Sequence, residues 1–274
     1  MVNKMKNKIL IKLIICTSII ISVFMINNKN KIKEVNSKYE YNIPVLMYHF
    51  FTKSSSRVGQ YTILSSRVEE DLKYIKDNYI SITTKNLIQY KEENIELPSN
   101  SIMITIDDSS VSFYNIMFPL LKKYNIPVIL NVIGKYSDDN NGFHMTWNQI
   151  KEVESSGLVE LGSHSYDLHE YGNGRYAMKR FKKEDDITYI NRIKQDLIIN
   201  NNRIESLNGI KPVSFAYPLG YSNDILKKTI KEIGFLASFS CKETLYNGSS
   251  LYDIPRFNRD GRLSTMEMFK KIYH

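Results

Sequence analysis

The stretch Ser101-Ile102-Met103-Ile104-Thr105-Ile106-Asp107-Asp108 predicts a buried strand that ends in two carboxylates. Its first six residues are mostly apolar, with β-branched Ile and Thr, which is typical of strands covered on both faces. Neighbouring side chains on a strand point to opposite faces, so both carboxylates reach one ion only if the chain leaves strand geometry there. We therefore expect a bend directly after Ile106.

A second stretch, Val159 to His164, also predicts a strand end and is followed by His169. The five-residue step between the two histidines fits neither one helix face nor one strand face, which predicts a loop that folds back over the edge of the sheet. One carboxylate and two imidazoles make a three-ligand site for a catalytic divalent ion, with a position left open for water. The other carboxylate is then free to accept a proton.

Strand and helix patterns alternate along the rest of the chain. Strands are predicted at 43–48, 101–106, 127–133, 159–164, 213–217 and 235–239, and helices at 65–78, 84–91, 111–124, 146–156, 185–207, 222–233 and 264–272. Such alternation predicts an α/β fold with a parallel sheet closed or nearly closed into a barrel. The candidate site residues fall at carboxyl ends of strands, where barrel active sites lie.

The basic character of the chain lies at its N-terminus. Residues 1–33 contain seven lysines and no acidic residue, so the rest of the chain accounts for only +1 of the formal charge of +8. The charge therefore does not indicate a nucleic-acid partner. Residues 9–26 are apolar except for Lys12, Thr17, Ser18 and Ser22, which predicts an export signal.

No small-residue cleavage site follows this apolar run, so we expect residues 1–33 to be an uncleaved signal anchor and the start of a tether, with a cleaved signal peptide as the alternative. Residues 34–274 then form one domain on the extracytoplasmic face of the cell membrane, or a secreted domain if the signal is cleaved. Cys16 falls within the anchor. Cys241 has no partner in the exported part, and we expect it to be a buried, inert thiol.

Five motifs in this order resemble those of the polysaccharide deacetylase superfamily, carbohydrate esterase family 4. They are Leu46-Met47-Tyr48-His49, Thr105-Ile106-Asp107-Asp108, His164-Ser165 with His169, Ala216-Tyr217-Pro218-Leu219-Gly220, and Ile254-Pro255-Arg256. The form of these motifs is similar to the branch that deacetylates poly-β-1,6-N-acetylglucosamine in biofilms. Each motif alone is weak evidence, but the ordered set is specific.

The resemblance implies a distorted, incomplete (β/α)7 barrel and a role for each acidic residue. Asp108 would bind the metal with His164 and His169, and Asp107 would be the general base. The expected cofactor is one divalent ion, with Zn²⁺ favoured and Ni²⁺, Co²⁺ or Fe²⁺ as alternatives.

The chain departs from the family in two motifs. The usual C-terminal Leu-x-His histidine, the proton donor in much of the family, is missing. The similar branch has a histidine at the position of His49, so His49 is the predicted general acid. The alternative is a hydrogen-bonded structural histidine. His144 is expected to be structural. Ala216 replaces an Arg that holds the catalytic Asp in many members, and Arg256 is the nearest substitute, with a plain surface charge equally open.

The resemblance also places four residues beside the substrate and the oxyanion, namely Tyr217, Pro218, Gly220 and Arg256. Tyr217 would donate its backbone N–H to the oxyanion, while Pro218 and Gly220 would set the turn. The predicted function is metal-dependent N-deacetylation of an N-acetylglucosamine polymer, with poly-β-1,6-N-acetylglucosamine favoured. A peptidoglycan N-acetylglucosamine deacetylase and a non-catalytic carbohydrate-binding relative are the alternatives.

Overall fold

The computed structural model describes residues 41–93, 95–172 and 175–273. The predicted signal anchor at residues 1–33 lies outside the described residues. Tyr41–His274 forms one unit by its backbone contacts. Within the described part of the chain, no helix is both long and apolar enough to cross a membrane.

Seven parallel strands form the main sheet. They are β1 (Val45–Tyr48), β2 (Ser101–Ile106), β3 (Val128–Val132), β4 (Val159–Ser163), β5 (Ser214–Ala216), β6 (Ala237–Phe239) and β7 (Phe257–Asn258). Their order in space is β6-β5-β4-β3-β2-β1-β7, and each neighbouring pair is parallel. A short strand, Ile80–Ser81, lies beside β2 on the outer side of this path. Apart from β7, each strand begins within two residues of its predicted start.

The sheet curves toward closure between β6 and β7. Ile254, just before β7, donates its backbone N–H to Ser238 at 2.8 Å and accepts one from Ser240 at 2.9 Å. An isolated parallel bridge between Phe239 and Ile254 joins the two ends of the sheet. The result is a parallel α/β half-barrel that is consistent with the expected incomplete (β/α)7 architecture.

Eight α-helices of the described chain connect and cover the strands. They are α1 (Ser65–Asn78), α2 (Thr84–Glu93), α3 (Phe118–Tyr124), α4 (Gly134–Asp139), α5 (Trp147–Ser155), α6 (Asp186–Asn208), α7 (Asp224–Ile233) and α8 (Thr265–Tyr273). A π-helical segment, Phe113–Met117, precedes α3 inside the helix predicted at 111–124. Helix α4 was not predicted, because its six residues are too few to show a helical period.

Helix starts follow side-chain caps that are visible in the sequence. Thr146 and Gln149 form a reciprocal capping box at the start of α5. Asp185 caps α6 and Asn223 caps α7 by accepting a backbone N–H three residues later. These local signals explain why the predicted starts at residues 146, 185 and 222 lie close to the observed ones.

Two small sheets were not predicted. Phe50–Thr52 pairs in parallel with Thr62–Leu64 next to the end of β1, and Tyr171–Gly172 pairs in antiparallel with Arg175–Tyr176. Each strand has only two or three residues, too few for an alternation pattern. The first pair places residues 59–62 beside the carboxyl ends of the barrel strands.

The two faces of β2 separate the outer core from the barrel interior. Ile102, Ile104 and Ile106 pack in the cluster beneath the surrounding helices, whereas Met103 packs in a separate inner cluster. Because side chains alternate along a strand, the interior set continues from Met103 through Thr105 to Asp107. The interior of the barrel is thus apolar at its base and polar toward its carboxyl end.

Candidate metal centre and active site

The acidic pair leaves strand geometry where the sequence required it. Asp108 has φ 70° and Ser109 has φ 49°, both in the left-handed region that non-glycine residues rarely adopt. This bend brings Asp108 to the same side as Asp107 instead of the opposite face of the strand. Backbone strain of this kind is concentrated at functional sites.

The structure brings together the three predicted metal ligands. The Nε2 atoms of His164 and His169 lie 3.6 Å and 3.3 Å from Oδ1 of Asp108. The three candidate ligand atoms lie within 4.8 Å of one another. The Nδ1–H of His164 donates to the carbonyl oxygen of Ala216 at 2.8 Å, and this bond leaves the Nε2 lone pair facing the site.

The chemistry of these donors fits a divalent transition-metal ion. Oδ1 of Asp108 is buried and accepts no hydrogen bond within the described part of the chain. Burial raises the pKa of Asp108 to about 6 and lowers the pKa of His164 to about 3. Burial therefore favours a neutral imidazole, the form that binds metal, and leaves a carboxylate in need of a cation.

Asp107 is held as an ionised carboxylate by two donors. Its Oδ1 accepts hydrogen bonds from Nη1 of Arg256 at 2.8 Å and from Nδ2 of Asn131 at 2.7 Å. Burial alone would raise the pKa of Asp107, but the charge of Arg256 and the neighbouring His164 lower it below the ordinary value. Oδ2 remains on the side of His164, 3.9 Å from its Nε2.

Arg256 is the substitute for the Arg that Ala216 replaces. It is 0% exposed, so the alternative of a surface charge is wrong. Its guanidinium also donates to Oγ1 of Thr105 at 3.0 Å and to the carbonyl oxygen of Ser240 at 2.9 Å. The guanidinium contacts Asp107 from within the barrel. It does not line the solvent-exposed cavity at this site, so the structure does not place it against substrate or oxyanion.

A cavity of about 330 Å³ opens onto these groups. Its lining residues are His49, Phe50, Tyr61, Asp107, Asp108, His164, His169, Tyr217, Leu219 and Cys241. His49, the predicted general acid, thus lies in the same cavity as the acidic pair. Its Nδ1 has no hydrogen-bonding partner among the described residues, so the structural alternative of a hydrogen-bonded histidine finds no support at that atom. Burial lowers the pKa of His49, and both carboxylates oppose that shift.

The turn after β5 has the expected form, but the predicted oxyanion donor is engaged. Pro218–Gly220 forms a single 3-10 turn, and a Cβ on Gly220 would lie 2.9 Å from Sγ of Cys241. Gly220 also has φ 68°, so both the space and the backbone conformation require glycine.

The backbone N–H of Tyr217 donates to the carbonyl oxygen of Phe239 at 3.2 Å. That N–H is not a free donor here, contrary to the predicted oxyanion role.

Cys241 differs from its predicted position. It is exposed and lines the cavity, so the prediction of a buried thiol is wrong. It follows β6 at the carboxyl end of the barrel, where side chains face the open cavity. His144 has the expected structural environment: its ring stacks on Tyr136 with centroids 4.3 Å apart, and its Nδ1 lies 3.2 Å from Nδ2 of Asn141.

Two polar residues of the site were missed from the sequence. Asn131 is fully buried in β3 and holds Asp107. A lone Asn inside the apolar run at 128–132 was the available signal, because a buried amide needs a partner. Asp196 of α6 accepts the backbone N–H groups of Tyr166 and Asp167, each at 2.8 Å, and so holds the loop between the two histidines. The sequence contains no signal that links this helix to that loop.

Comparison with known proteins gives a family and named relatives. The family model described as polysaccharide deacetylase matches residues 94–238, which is more than half of the chain. A poly-β-1,6-N-acetyl-D-glucosamine N-deacetylase of Staphylococcus aureus is 28% identical over 214 residues, covering 76% of this chain and 71% of the relative. The enzyme of the same description from Escherichia coli K12 is 25% identical over 222 residues, covering 71% of this chain.

The chain spans about a third of the length of the Escherichia coli relative, with 33% of that protein covered. The solved structure of IcaB from Ammonifex degensii has a TM-score of 0.69 and 26% sequence identity, covering 80% of this chain and 92% of that one. The architecture described above is therefore shared with a solved relative over most of both chains.

Proposed function

The chain belongs to the polysaccharide deacetylase family, and from this premise we propose that it hydrolyses N-acetyl groups of poly-β-1,6-N-acetylglucosamine, releasing acetate and leaving free amines. One observation carries the proposal. A carboxylate held by Arg256 lies beside the Asp108, His164 and His169 group in a cavity open to solvent. The named relatives from Staphylococcus aureus and Escherichia coli support the choice of polymer.

We propose that Asp108, His164 and His169 hold one divalent ion, with Zn²⁺ favoured over Ni²⁺, Co²⁺ and Fe²⁺. Such an ion supplies Lewis-acid assistance to the attacking water and to the acetamide carbonyl when bound. The remaining steps belong to side chains of this protein. His164 is oriented by the carbonyl oxygen of Ala216, which selects the tautomer that presents Nε2 to the site.

Asp107 is proposed to take the proton of the attacking water. Its Oδ1 is occupied by Arg256 and Asn131, so the free lone pairs of Oδ2 are the available base. The positive charge of Arg256 keeps the carboxylate ionised inside a buried site. This arrangement fixes the direction in which the proton is accepted.

His49 is proposed to supply the proton that the leaving amine needs. It borders the same cavity as Asp107, and Nδ1 of its ring is not engaged by any described residue. An amine leaves far more readily when it is protonated, so a donor at this position completes the hydrolysis.

A non-catalytic carbohydrate-binding protein would not need this arrangement. Both carboxylates, both histidines and the buried partner of Asp107 are present together. Burying an Arg–Asp ion pair costs desolvation free energy, and a role in catalysis accounts for keeping it. The site therefore favours an enzyme.

The test is acetate release by the purified full-length chain from three polymers. Poly-β-1,6-N-acetylglucosamine should be deacetylated faster than peptidoglycan or chitin oligomers, and chelation should stop the reaction. Faster deacetylation of peptidoglycan would mean that the same reaction acts on the cell wall. Absence of release from all three, in a metal-loaded preparation, would refute the proposed activity.

We also propose that residues 1–33 anchor the domain to the extracytoplasmic face of the cell membrane. The support is the basic start, the apolar run at 9–26 and the lack of a cleavage site. The full chain should fractionate with membranes and be digested only by protease added from outside. Mature protein in the medium beginning near residue 30 would instead indicate a cleaved signal.

A further inference from the structure

Three aromatic side chains lie around His49 at the cavity and beside it, and are here called the aromatic shelf: Phe50, Tyr61 and Phe143. The rings of Phe50 and Phe143 have centroids 5.4 Å apart. The ring of His49 bridges the set, with its centroid 4.9 Å from Tyr61 and 6.2 Å from Phe50. Phe50 and Tyr61 line the same cavity as the candidate metal ligands, so the shelf is continuous with the reaction site.

The outer members of the shelf are exposed although their side chains are large and apolar. Phe143 is 55% exposed and Tyr61 is 47% exposed. Exposed aromatic residues that adjoin a polar cavity are typical of ligand-binding surfaces. Single exposed apolar residues need no such explanation, but a contiguous set next to the candidate centre does.

The loop of Phe143 is held in place next to the acidic pair. Oδ1 of Asn141 accepts the backbone N–H groups of Phe143 at 3.0 Å and His144 at 3.1 Å. The carbonyl oxygen of Phe143 accepts the N–H of Val111 at 2.8 Å, and Met145 donates to Ser109 at 2.9 Å. The exposed ring is therefore presented by a preformed loop.

The loop of Tyr61 is held from the other end of the chain. Gly261 donates its N–H to Gly59 at 3.1 Å, and Nδ2 of Asn258 donates to Gln60 at 3.0 Å. The carbonyl oxygen of Tyr61 accepts the N–H of Phe50 at 2.9 Å. The backbone that carries both exposed rings is thus held before any ligand arrives, which reduces the entropy cost of binding.

We propose that the aromatic shelf is a sugar-binding subsite for a pyranose ring of the polymer next to the one whose acetamide is hydrolysed. This inference rests on the proposed function. A polymer with one sugar in the cavity must continue out of it. Tyr61 lines that cavity, and Phe143 packs on Phe50 of the same lining. The C–H face of a pyranose is apolar and packs on an aromatic face, as other apolar groups do. The shelf therefore makes affinity depend on chain length.

The test compares substrates of different length in the full-length, zinc-loaded chain. Phe143→Ala should raise KM for a β-1,6-linked N-acetylglucosamine pentamer by roughly threefold to tenfold, the range for one aromatic contact. The increase in KM should be smaller for a small aryl acetate. Phe143→Tyr, which keeps the ring, should retain the pentamer KM. Met266→Ala removes a side chain that is 64% exposed on α8 and should change neither value.

Binding measured without turnover separates this inference from the proposed activity. In an Asp107→Asn background, calorimetry should show weaker pentamer binding for Phe143→Ala and for Tyr61→Ala, with unchanged metal content. Unchanged pentamer affinity in both variants would overturn the shelf, as would equal losses for the pentamer and the aryl acetate. If the unsubstituted chain binds the pentamer but releases no acetate, the proposed activity fails while the binding comparison still decides the subsite.

Discussion

Asp107, the proposed base, shows how its surroundings prepare a single residue for its role. Two donors occupy one carboxylate oxygen, and the other faces the candidate metal ligands. Asp107→Asn should keep the metal, because Asp108, His164 and His169 are untouched, and should lower turnover by roughly 10²- to 10⁴-fold. Metal analysis and acetate release measure the two effects. Full activity in this variant would assign the base elsewhere.

His49 is the second residue whose role can be isolated. His49→Ala should leave metal content and fold near normal and lower kcat by about 10²-fold or more, the usual contribution of a positioned proton donor. The comparison variant is His144→Ala, because His144 stacks on Tyr136 and is absent from the cavity lining. An unaltered rate in His49→Ala would mean that water or another group protonates the amine.

At the level of elements, α6 supports the loop that carries the second histidine. Burial raises the pKa of Asp196 to about 6, and its two oxygens hold the loop N–H groups at residues 166 and 167. Asp196→Ala should weaken zinc affinity about 10- to 100-fold, as loss of a ligand's supporting partner usually does. Glu205→Ala on the same helix, which removes only a surface ion pair, is the matched control. Equal zinc affinity in both variants would contradict this role.

The contact between Gly261 and residues 59–62 is a second test at this scale. A Cβ on Gly261 would lie 2.1 Å from the carbonyl oxygen of Thr62, and backbone cannot yield as a side chain can. Gly261→Ala should lower the free energy of unfolding by about 1–3 kcal/mol, which is the usual cost of forcing atoms into a packed position. Gly59→Ala has nothing within 4 Å of the added Cβ and should change stability little. Denaturant unfolding of both variants measures the difference.

For the whole molecule, a buried polar network joins the first and last elements of the fold. Asp71 of α1 accepts hydrogen bonds from Nε of Arg259 at 2.7 Å, from the Tyr48 hydroxyl at 3.0 Å and from Oγ1 of Thr265 at 2.7 Å. The buried ion pair of Asp71 and Arg259 is stable only when all of its hydrogen-bonding partners are present. Arg259 and Asp71 are 188 residues apart, so the network forms only when the barrel has assembled.

Metal binding should stabilise the whole unit by mass action. An ion that binds only the folded chain, at about 100 times its Kd, adds roughly 2.7 kcal/mol. In a domain of this size that raises Tm by about 5–10 °C. Thermal unfolding with zinc and with chelator measures the shift, and His164→Ala should abolish it. An equal shift in His164→Ala would mean that zinc binds outside the proposed centre.

Much of the fold and of the site could be predicted locally. The strand over residues 101–106 and the helix over 65–78 have the predicted bounds, because each carries a complete hydrophobic period and clear ends. The candidate metal ligands could be named because one carboxylate and two imidazoles are typical of a metal site, and the resemblance chose Asp108 from the acidic pair. Short elements such as β7 could not be predicted, because two residues carry no period.

The sequence by itself therefore determined the alternating α/β order, the three metal-ligand candidates and the bend at the acidic pair. Only the tertiary structure decided that Arg256, 149 residues away, holds Asp107, that Asn131 joins it, and that Cys241 is exposed in the cavity. It also assembled Phe50, Tyr61 and Phe143 into one surface. The physical reason is that local patterns record which face of an element is buried. Strand order and barrel closure decide which distant faces meet.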